Sequence, residues 1–441
     1  MKAASTWPPR ATAPGRPAGC PGLREARRQN RRRTTRTELV TSVETLPTSH
    51  GLGAVRKLRG HYFTLRHDEV EATLAQRYGD DWGDVMVTRD AYRYDSRADL
   101  VMHGEPAPRE KQPIIEVPAL SVRRYAEATC RVREIVTRDN LILPDSFRHW
   151  NSPQLFHKQV IAMSKHFGRL VDEVEHTPVR RVDGGLFSFD SAFPTHFGHL
   201  TTETISHLWG WEHAVAANPD LRVVMTHQAG KKALPSWKAA ILQALGVPTD
   251  SIEWVTEHEA VQAESLVAAM PQLENPFYVD RDLTATWARL YDGLGADPDR
   301  DSRPEKIFVS RRAKSQRYCT NAPEVEAFMQ AQGYTVVLPE KMPYTEQAHT
   351  FSAAKVIAGF AGSGLFNMMF SPSARIVILT SQNYVAANEY LFASATGNEI
   401  HYFWACPQVE RPEHGNSVDA YRSDFTFPLD EHREALTKVL R

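Results

Sequence analysis

Lys355-Val-Ile-Ala-Gly359-Phe-Ala-Gly362-Ser363-Gly364 is an apolar run that ends in closely spaced glycines. Its apolar part predicts a buried strand, and the residues that follow, 363–370, predict a helix. Glycine permits a tight turn and a close backbone approach, and the free N–H groups at a helix start attract anions. The run therefore predicts an anion site at its last three residues. A plain strand-to-helix turn, in which glycine serves sterics alone, is the alternative.

The same alternation of strand and helix extends to both sides of this run. Strands separated by helices of about 10 to 15 residues are typical of parallel, doubly wound sheets. The predicted strands cover residues 221–226, 252–255, 306–310, 334–338, 355–359 and 374–380, and the predicted helices cover 199–217, 237–245, 323–332, 344–354 and 363–370. A stretch rich in Gly, Pro and Asp, residues 292–304, divides them into two groups. We therefore expect an α/β fold of two Rossmann-like domains whose parallel sheets face a central cleft.

Charge is unevenly distributed, although the chain of 441 residues carries a formal net charge of only −1. Residues 1–37 contain ten Lys and Arg residues against Glu25 alone, with much Pro, Ala and Thr. Such a segment buries too little apolar surface to offset its ordering entropy, so residues 1–45 are predicted to be a disordered basic tail. Its role is open between attraction to anionic lipid or nucleic acid, a targeting peptide, and an inert product of an upstream start codon. Residues 46–300 and 301–441 are the two predicted domains.

Several informative patterns are absent from the sequence. No run of 18 apolar residues occurs, so we expect no membrane-spanning helix. The four cysteines are far apart and indicate no disulfide framework, so we expect a cytoplasmic protein, with peripheral contact at the inner face of the membrane as an alternative. Neither CxxC, a Cys/His cluster nor HExxH occurs, so no bound metal is predicted. Asp-x-Asp does occur, at Asp280-Arg-Asp282 and twice within residues 297–301, and we interpret these residues as solvated loop acids.

A second candidate site is Ser310-Arg311-Arg312, directly after the predicted strand 306–310, with Lys314 and Arg317 in the same loop. Arginines at the carboxyl end of a strand can clamp a phosphate through bidentate hydrogen bonds. Surface solvation is the alternative. Because this loop and the glycine run both follow strands of one predicted sheet, we expect them to face one cleft. Together they predict a site for a diphosphate leaving group.

A third candidate site is His196-Phe-Gly-His199, followed by Glu203. His199 and Glu203 are four residues apart and therefore share one helix face. A carboxylate beside an imidazole orients it and raises its basicity, which suits a general base. We expect His199 to be the base, with His196 and Glu203 as the next candidates. A structural role for these histidines is the alternative.

Taken in chain order, these segments resemble glycosyltransferase family 61. Three matching pieces are an aromatic-Gly-His helix that carries Glu and ends in Leu-Trp (His196–Trp209), a strand followed by Ser-Arg-Arg (Lys306–Arg312), and a glycine loop that ends in Asn (Gly359–Asn367). Two shorter pieces lie between them, an Asn-Glu-x-Glu segment (Asn321 to Glu326) and a Pro-Glu…Glu-Gln segment (Pro339 to Gln347). The chain departs from the family in the glycine loop. It has Ala361 where the family has histidine, Ser363 for alanine, and Phe366 for threonine.

The resemblance implies an enzyme of the GT-B architecture that moves a sugar, with inversion, from a nucleotide diphosphate donor to a glycan, polysaccharide or lipid-linked acceptor. It implies a role in capsular polysaccharide biosynthesis or a related pathway, a nucleotide sugar as substrate, and no cofactor. The first domain would hold the acceptor and the second the donor. The donor-binding residues expected from it are Ser310, Arg311, Arg312, Arg317, Glu346, Gly362, Ser363, Gly364 and Asn367.

Two other hypotheses remain at this point. Because of Ala361, the chain could be a catalytically impaired relative that binds nucleotide sugar without turnover. A nucleic-acid binder that acts through the basic tail is the more distant hypothesis, and we expect no nucleic-acid partner.

Overall fold

The computed structural model describes residues 63–104, 107, 111–139, 141–148, 155, 157–163, 166–312, 315–412 and 417–441. Residues 55–441 form one compact unit. The predicted tail, residues 1–45, lies outside the described residues, and so does Lys314.

The strands are numbered in chain order. They are β1 (Phe63–Thr64), β2 (Asp84–Arg89), β3 (Tyr92–Asp95), β4 (Asp99–Gly104), β5 (Ile114–Val117), β6 (Leu120–Ala126), β7 (Thr129–Cys130), β8 (Val136–Arg138), β9 (Leu141–Ile142), β10 (Val160–Ala162), β11 (Phe167–Leu170), β12 (Val179–Ser188), β13 (Arg222–Thr226), β14 (Glu253–Val255), β15 (Ala260–Ala269), β16 (Leu273–Glu274), β17 (Tyr278–Val279), β18 (Lys306–Val309), β19 (Thr335–Val337), β20 (Val356–Phe360), β21 (Arg375–Ser381) and β22 (Glu399–Ala405).

The helices are numbered in the same way. They are α1 (His67–Tyr78), α2 (Asp172–Glu175), α3 (Phe197–Thr202), α4 (Leu208–Ala217), α5 (Ser236–Ala244), α6 (Leu283–Gly293), α7 (Ala322–Ala331), α8 (Tyr344–Ala353), α9 (Asn388–Thr396), α10 (Val418–Arg422) and α11 (Leu429–Val439). Short 3₁₀ helices cover Gly79–Trp82, Pro144–Ser146, Thr204–His207, Arg300–Ser302, Pro339–Lys341 and Ser363–Phe370.

The first large sheet has a parallel part and an antiparallel part. In the parallel part the strand order is β14-β13-β12-β15. Strands β6 and β7 pair antiparallel with β15 on its other side. The long strand β15 was not predicted, because its sequence Ala-Val-Gln-Ala-Glu-Ser-Leu-Val-Ala-Ala has neither strict alternation nor a flanking turn signal.

The second large sheet is parallel throughout, in the order β19-β18-β20-β21-β22-β4. Chain order among β18 to β22 is therefore 2-1-3-4-5, which is the doubly wound pattern. The direction of winding reverses between β18 and β20, so the loops after these two strands leave a crevice at the carboxyl edge. The predicted mixed α/β fold with parallel sheets is confirmed.

Apolar strands in the second sheet explain why it lies at the centre of the core. The side chains of Ile307, Phe308 and Val309 are buried, as is the whole of Ile376–Leu379. Each such side chain contributes about 2 kcal/mol when it leaves water. The edge strand β4 comes from the first predicted domain yet pairs with β22. The division into a first domain of residues 46–300 and a second domain of residues 301–441 stays a prediction.

The prediction of one continuous helix over residues 199–217 was wrong. The predicted helix 199–217 is broken into α3, a 3₁₀ turn and α4. The β-branched Thr201 and Thr202 lie at the break, and both hydroxyls donate to the Gly198 carbonyl, which competes with regular helix geometry. Residues 363–370 form a 3₁₀ helix.

The interpretation of Asp280 as a solvated loop acid was also wrong. Its side chain is fully buried and accepts hydrogen bonds from Tyr92 Oη at 2.6 Å and Gln272 Nε2 at 3.0 Å. Arg89 Nη1 lies 2.8 Å from its second oxygen. A buried carboxylate is stable only with such partners, so Asp280 serves the packing of β2, β3 and β17. Asp282 is exposed and also pairs with Arg89.

Candidate active site

The predicted histidine pair lies at the carboxyl end of β12, where the chain turns into α3. His199 Nδ1 lies 2.8 Å from Glu203 Oε1, and Arg148 Nε donates to the same oxygen at 3.0 Å. The Phe193 ring stacks on the His199 ring with centroids 4.3 Å apart. Three neighbours therefore fix the orientation of the imidazole.

The ionisation of Glu203 fixes the tautomer of His199. Burial opposes ionisation, but the hydrogen bond from His199 and the charge of Arg148 outweigh it and lower the pKa of Glu203 to about 2. A carboxylate is an acceptor only, so the neutral form of His199 carries its hydrogen on Nδ1 and has its lone pair on Nε2. An imidazole held in this way is suited to accept a proton at Nε2.

His196 lies next to His199, at the start of α3. The two rings meet edge to face with centroids 4.8 Å apart. Desolvation in the cleft, the neighbouring His199 and the charge of Arg317 lower the pKa of His196 to about 4, although part of its ring stays exposed. His196 is therefore neutral at pH 7.

Gly198 brings the histidine helix into contact with the glycine loop. A β-carbon at Gly198 would lie 2.8 Å from Cβ of Ser363 and 3.1 Å from Cε2 of Phe366. No side chain fits there, which gives the glycine of His-Phe-Gly-His a physical reason. The first and third candidate sites of the sequence thus touch each other.

The glycine loop follows β20 and leads into the 3₁₀ helix. Gly362 has φ 128°, a conformation open to glycine alone. Its N–H donates to Glu389 Oε1 at 2.8 Å, so the first amide of the loop is already hydrogen-bonded to a carboxylate of the protein. Among the residues that the structure describes, the N–H groups of Ser363 and Gly364 have no acceptor. Both residues are half-buried.

Two arginines from the β18 loop reach the glycine loop. A β-carbon at Gly362 would lie 3.1 Å from Nη2 of Arg311 and 3.1 Å from Nη2 of Arg317. Arg317 lies over the rings of Tyr421 and Tyr384, 4.6 and 5.4 Å from their centroids. Arg311 donates to the Gln316 carbonyl at 3.2 Å. Within the described part of the chain, neither arginine forms an ion pair.

Like charges therefore meet at this loop without a carboxylate between them. Burial, and then the charge of Arg317, lower the pKa of Arg311 to about 10, which still leaves it protonated at neutral pH. A bound anion would relieve the repulsion between the guanidinium groups and take up their free donors. The arrangement can accommodate an anion.

The other predicted donor-binding residues lie outside this cluster. Arg312 turns to Glu340, with its Nε 2.9 Å from Oε1. Ser310 is buried and donates to Glu326, and Asn367 is buried and donates to Gln347 Oε1 at 2.9 Å.

Glu346 is exposed in the first turn of α8, and its charge acts on Arg303 at the predicted linker. Several of the residues that carried the resemblance thus bind one another and hold the loops in place.

Sequence reasoning missed four side chains of the site. They are Arg148, Tyr384, Glu389 and Tyr421, and none of them lies in a motif. Arg148 is separated from Glu203 by 54 residues, so only the fold brings the pair together. An acidic residue in the first turn of α9, such as Glu389, carries no signal beyond that of an ordinary helix start.

No group of three or more His, Cys, Asp or Glu side chains in the described ranges is arranged to hold a metal ion. None of the helices described here is both long and apolar enough to cross a bilayer. The predicted absence of a metal stays a prediction.

Comparison with known proteins fixes the class. Residues 197–378, about two fifths of the chain, match the family model described as Glycosyltransferase 61. The protein is therefore a glycosyltransferase. The matched region is a glycosyltransferase family 61 domain, which confirms the resemblance seen in the sequence.

Other comparisons add little. No curated protein matches the chain. One similar solved structure is the dodecameric iron-containing heptosyltransferase TibC in complex with ADP-D-β-D-heptose, at 13% sequence identity over 59% of this chain and 75% of that chain. Its TM-score of 0.22 is too low to indicate a shared fold.

Proposed function

We propose that the protein is an inverting glycosyltransferase that takes a sugar from a nucleoside diphosphate donor and passes it to a hydroxyl group of a glycan or polysaccharide. Residues 301–441 would bind the donor and residues 46–300 the acceptor, in a GT-B arrangement. A lipid-linked acceptor and contact with the inner face of the membrane belong to the same proposal.

The observation that carries this proposal is the meeting of three sequence-distant groups at Gly362. On one side lie Arg311 and Arg317, each with a guanidinium nitrogen 3.1 Å from the β-carbon position of that glycine. On the other side lies the helix of His196 and His199, which touches Ser363 through Gly198. Anion donors and a proton acceptor thus adjoin one loop.

The chemistry follows from these groups. Nε2 of His199 takes the proton of the acceptor hydroxyl while its oxygen forms a bond to the anomeric carbon of the sugar. The bond from that carbon to the diphosphate oxygen breaks, and the oxygen leaves with the electron pair. Arg311, Arg317 and the N–H groups of Ser363 and Gly364 stabilise the charge of the leaving diphosphate. A single displacement, with the base and the leaving group on opposite sides of the carbon, inverts its configuration.

Strand order supports the GT-B arrangement. The parallel part of the first sheet has chain order 3-2-1-4 across β14, β13, β12 and β15, and the second sheet has order 2-1-3-4-5. Ligands of such sheets bind at the carboxyl edge where the order reverses. The His199 loop follows β12, and the arginine and glycine loops follow β18 and β20, which are the strands at these reversal points.

Ala361 bears on the alternative of an impaired relative. It is almost fully buried, and its N–H donates to the Leu379 carbonyl at 3.2 Å, so it packs as a core residue. The imidazole of His196 lies near enough to Arg317 for that charge to lower its pKa, so a histidine adjoins these loops although position 361 is alanine. This neighbour favours turnover over binding alone.

The test uses a panel of nucleoside diphosphate sugars and a matched pair of variants, Arg311→Met and Arg312→Met. A donor at about 100 times its Kd should stabilise the wild type by about 2.7 kcal/mol in thermal unfolding, with release of nucleoside diphosphate on addition of acceptor. Arg311→Met should abolish the stabilisation, and Arg312→Met should keep it.

Stabilisation without release from any donor would favour the impaired relative. Equal behaviour of the two arginine variants would overturn the assignment of the anion site, since Arg311 adjoins Gly362 and Arg312 does not.

A further inference from the structure

Glu389 is a buried carboxylate at the back of the proposed donor site. It lies in the first turn of α9 and is fully buried. Its Oε1 accepts from Gly362 N–H at 2.8 Å and from Tyr384 Oη at 2.8 Å, and Tyr384 Oη also lies 2.9 Å from Oε2. Two neutral donors thus hold this carboxylate.

Among the described residues, no cationic side chain forms an ion pair with Glu389. Neither Arg311 nor Arg317 forms an ion pair with it, although its field reaches Arg311. Gly362 lies between them, with its N–H on the carboxylate and its β-carbon position against both guanidinium groups. One negative charge therefore lies across Gly362 from two positive charges.

This placement has two consequences for an anion at the arginines. The hydrogen bond to Gly362 holds the glycine in its positive-φ conformation and keeps the loop in the shape that would bind an anion. The negative charge repels the anion across a short and partly buried distance, where charges interact far more strongly than in water. An interaction that strengthens the binding of donor and product equally does not raise kcat once product release limits turnover.

We infer that Glu389 is a positioning residue of the donor site whose charge restrains the affinity for the diphosphate, so that the product is released. This inference rests on the proposed function.

The variant Glu389→Gln separates the charge from the hydrogen bonds. Its amide oxygen can accept from Gly362 N–H, and its NH₂ group can donate to Tyr384 Oη, so the contacts persist while the charge is lost. Glu389→Met removes both the charge and the polar contacts at similar volume. Tyr384→Phe removes one hydrogen bond and keeps the charge.

The experiment measures the Kd of inorganic pyrophosphate by calorimetry, at two salt concentrations, for the full-length wild type and each variant. Glu389→Gln should bind pyrophosphate about tenfold more tightly, because the variant lacks the negative charge that repels the anion. The gain should shrink at high salt, and Tyr384→Phe should show none. Once a donor substrate is identified, both KM and kcat of Glu389→Gln should be lower than those of the wild type.

Each outcome decides one question. If the wild type does not bind pyrophosphate, or Arg311→Met binds it equally well, the anion site of the proposed function fails, and this inference fails with it. If the wild type binds through Arg311 but Glu389→Gln binds no more tightly, only the role of Glu389 is overturned. Failure of both Glu389→Gln and Glu389→Met to fold would show that the fold itself needs the charge, which also overturns this role.

Discussion

The two sides of the candidate cleft use charge in opposite ways. On the histidine side, Arg148, Glu203 and His199 satisfy one another within a few ångströms. On the arginine side, Arg311 and Arg317 adjoin the glycine loop and form no ion pair within the described residues. A charge already paired in the protein serves to hold geometry, whereas an unpaired one is free to bind a ligand.

This difference assigns the two sides different tasks. On the histidine side the charges of Arg148 and Glu203 are already paired, and the proposal asks only for an acceptor hydroxyl at Nε2 of His199. The arginine side is incomplete until an anion arrives. Variants on the histidine side should therefore change turnover or stability, and variants on the arginine side should change binding.

Loss of the base should have the largest effect. His199→Ala should lower kcat by about a thousandfold, within the usual range for a general base, and leave donor affinity within about twofold. Arg148 and Glu203 still pair, so the variant should fold. Turnover assays with a fixed donor measure the change. His213→Ala, an exposed position on α4, is the control, and an equal loss there would refute the assignment.

Acid stability should reveal the next largest effect. The pKa of Glu203 is about 2 in the fold against an ordinary value of 4.5, so its contribution of about 3 kcal/mol is present above pH 4.5 and is lost as pH falls towards 2. Urea unfolding of wild type and Glu203→Gln between pH 3 and pH 7 measures this. The gap between them should be widest at pH 7 and shrink below pH 4.5, and a gap independent of pH would contradict the prediction.

The glycine loop should respond unequally to two similar changes. Gly362→Ala forces a side chain into φ 128° and against two guanidinium groups, at a cost of about 2 kcal/mol in unfolding free energy and with weaker donor binding. At Gly364 the nearest atom to a β-carbon is Val309 Cγ1 at 3.3 Å, so Gly364→Ala should cost much less. Urea midpoints and donor Kd values check this, and equal costs would mean that the conformation of Gly362 is not restrictive.

The smallest effect is expected at His196. Because its pKa is about 4, the residue stays neutral between pH 5 and pH 8 and should add no inflection to the pH profile of kcat/KM there. His196→Gln should lower kcat by less than about tenfold, as the loss of a neighbour and not of a base. A pH profile that loses its acid limb in this variant would instead make His196 the base.

Strands β18 to β21 of the second sheet could be predicted because each has a local signal. Ile307 to Val309 and Ile376 to Leu379 are continuous apolar runs, and glycine or proline marks the ends of the helices between them. The pairing of β4 with β22 could not be predicted, since about 300 residues separate them and an edge strand has no distinctive pattern.

The site was predictable only in its motif residues. Arg311, Gly362 and His199 each follow a strand in a recognisable pattern, and the rule of carboxyl ends places them near one another. Arg148 and Glu389 carry no pattern, and their roles depend on distances across the fold. The sequence also could not show that Arg312, adjacent to Arg311, turns to Glu340 instead.

Strand β4 carries a consequence for dissecting the molecule. A fragment that starts at residue 301 would lack Asp99–Gly104 and leave β22 with a bare row of unpaired backbone groups. Such a row is a template for another chain, so the fragment should self-associate more than the intact protein. Grafting residues 99–104 back through a flexible linker should reduce this self-association.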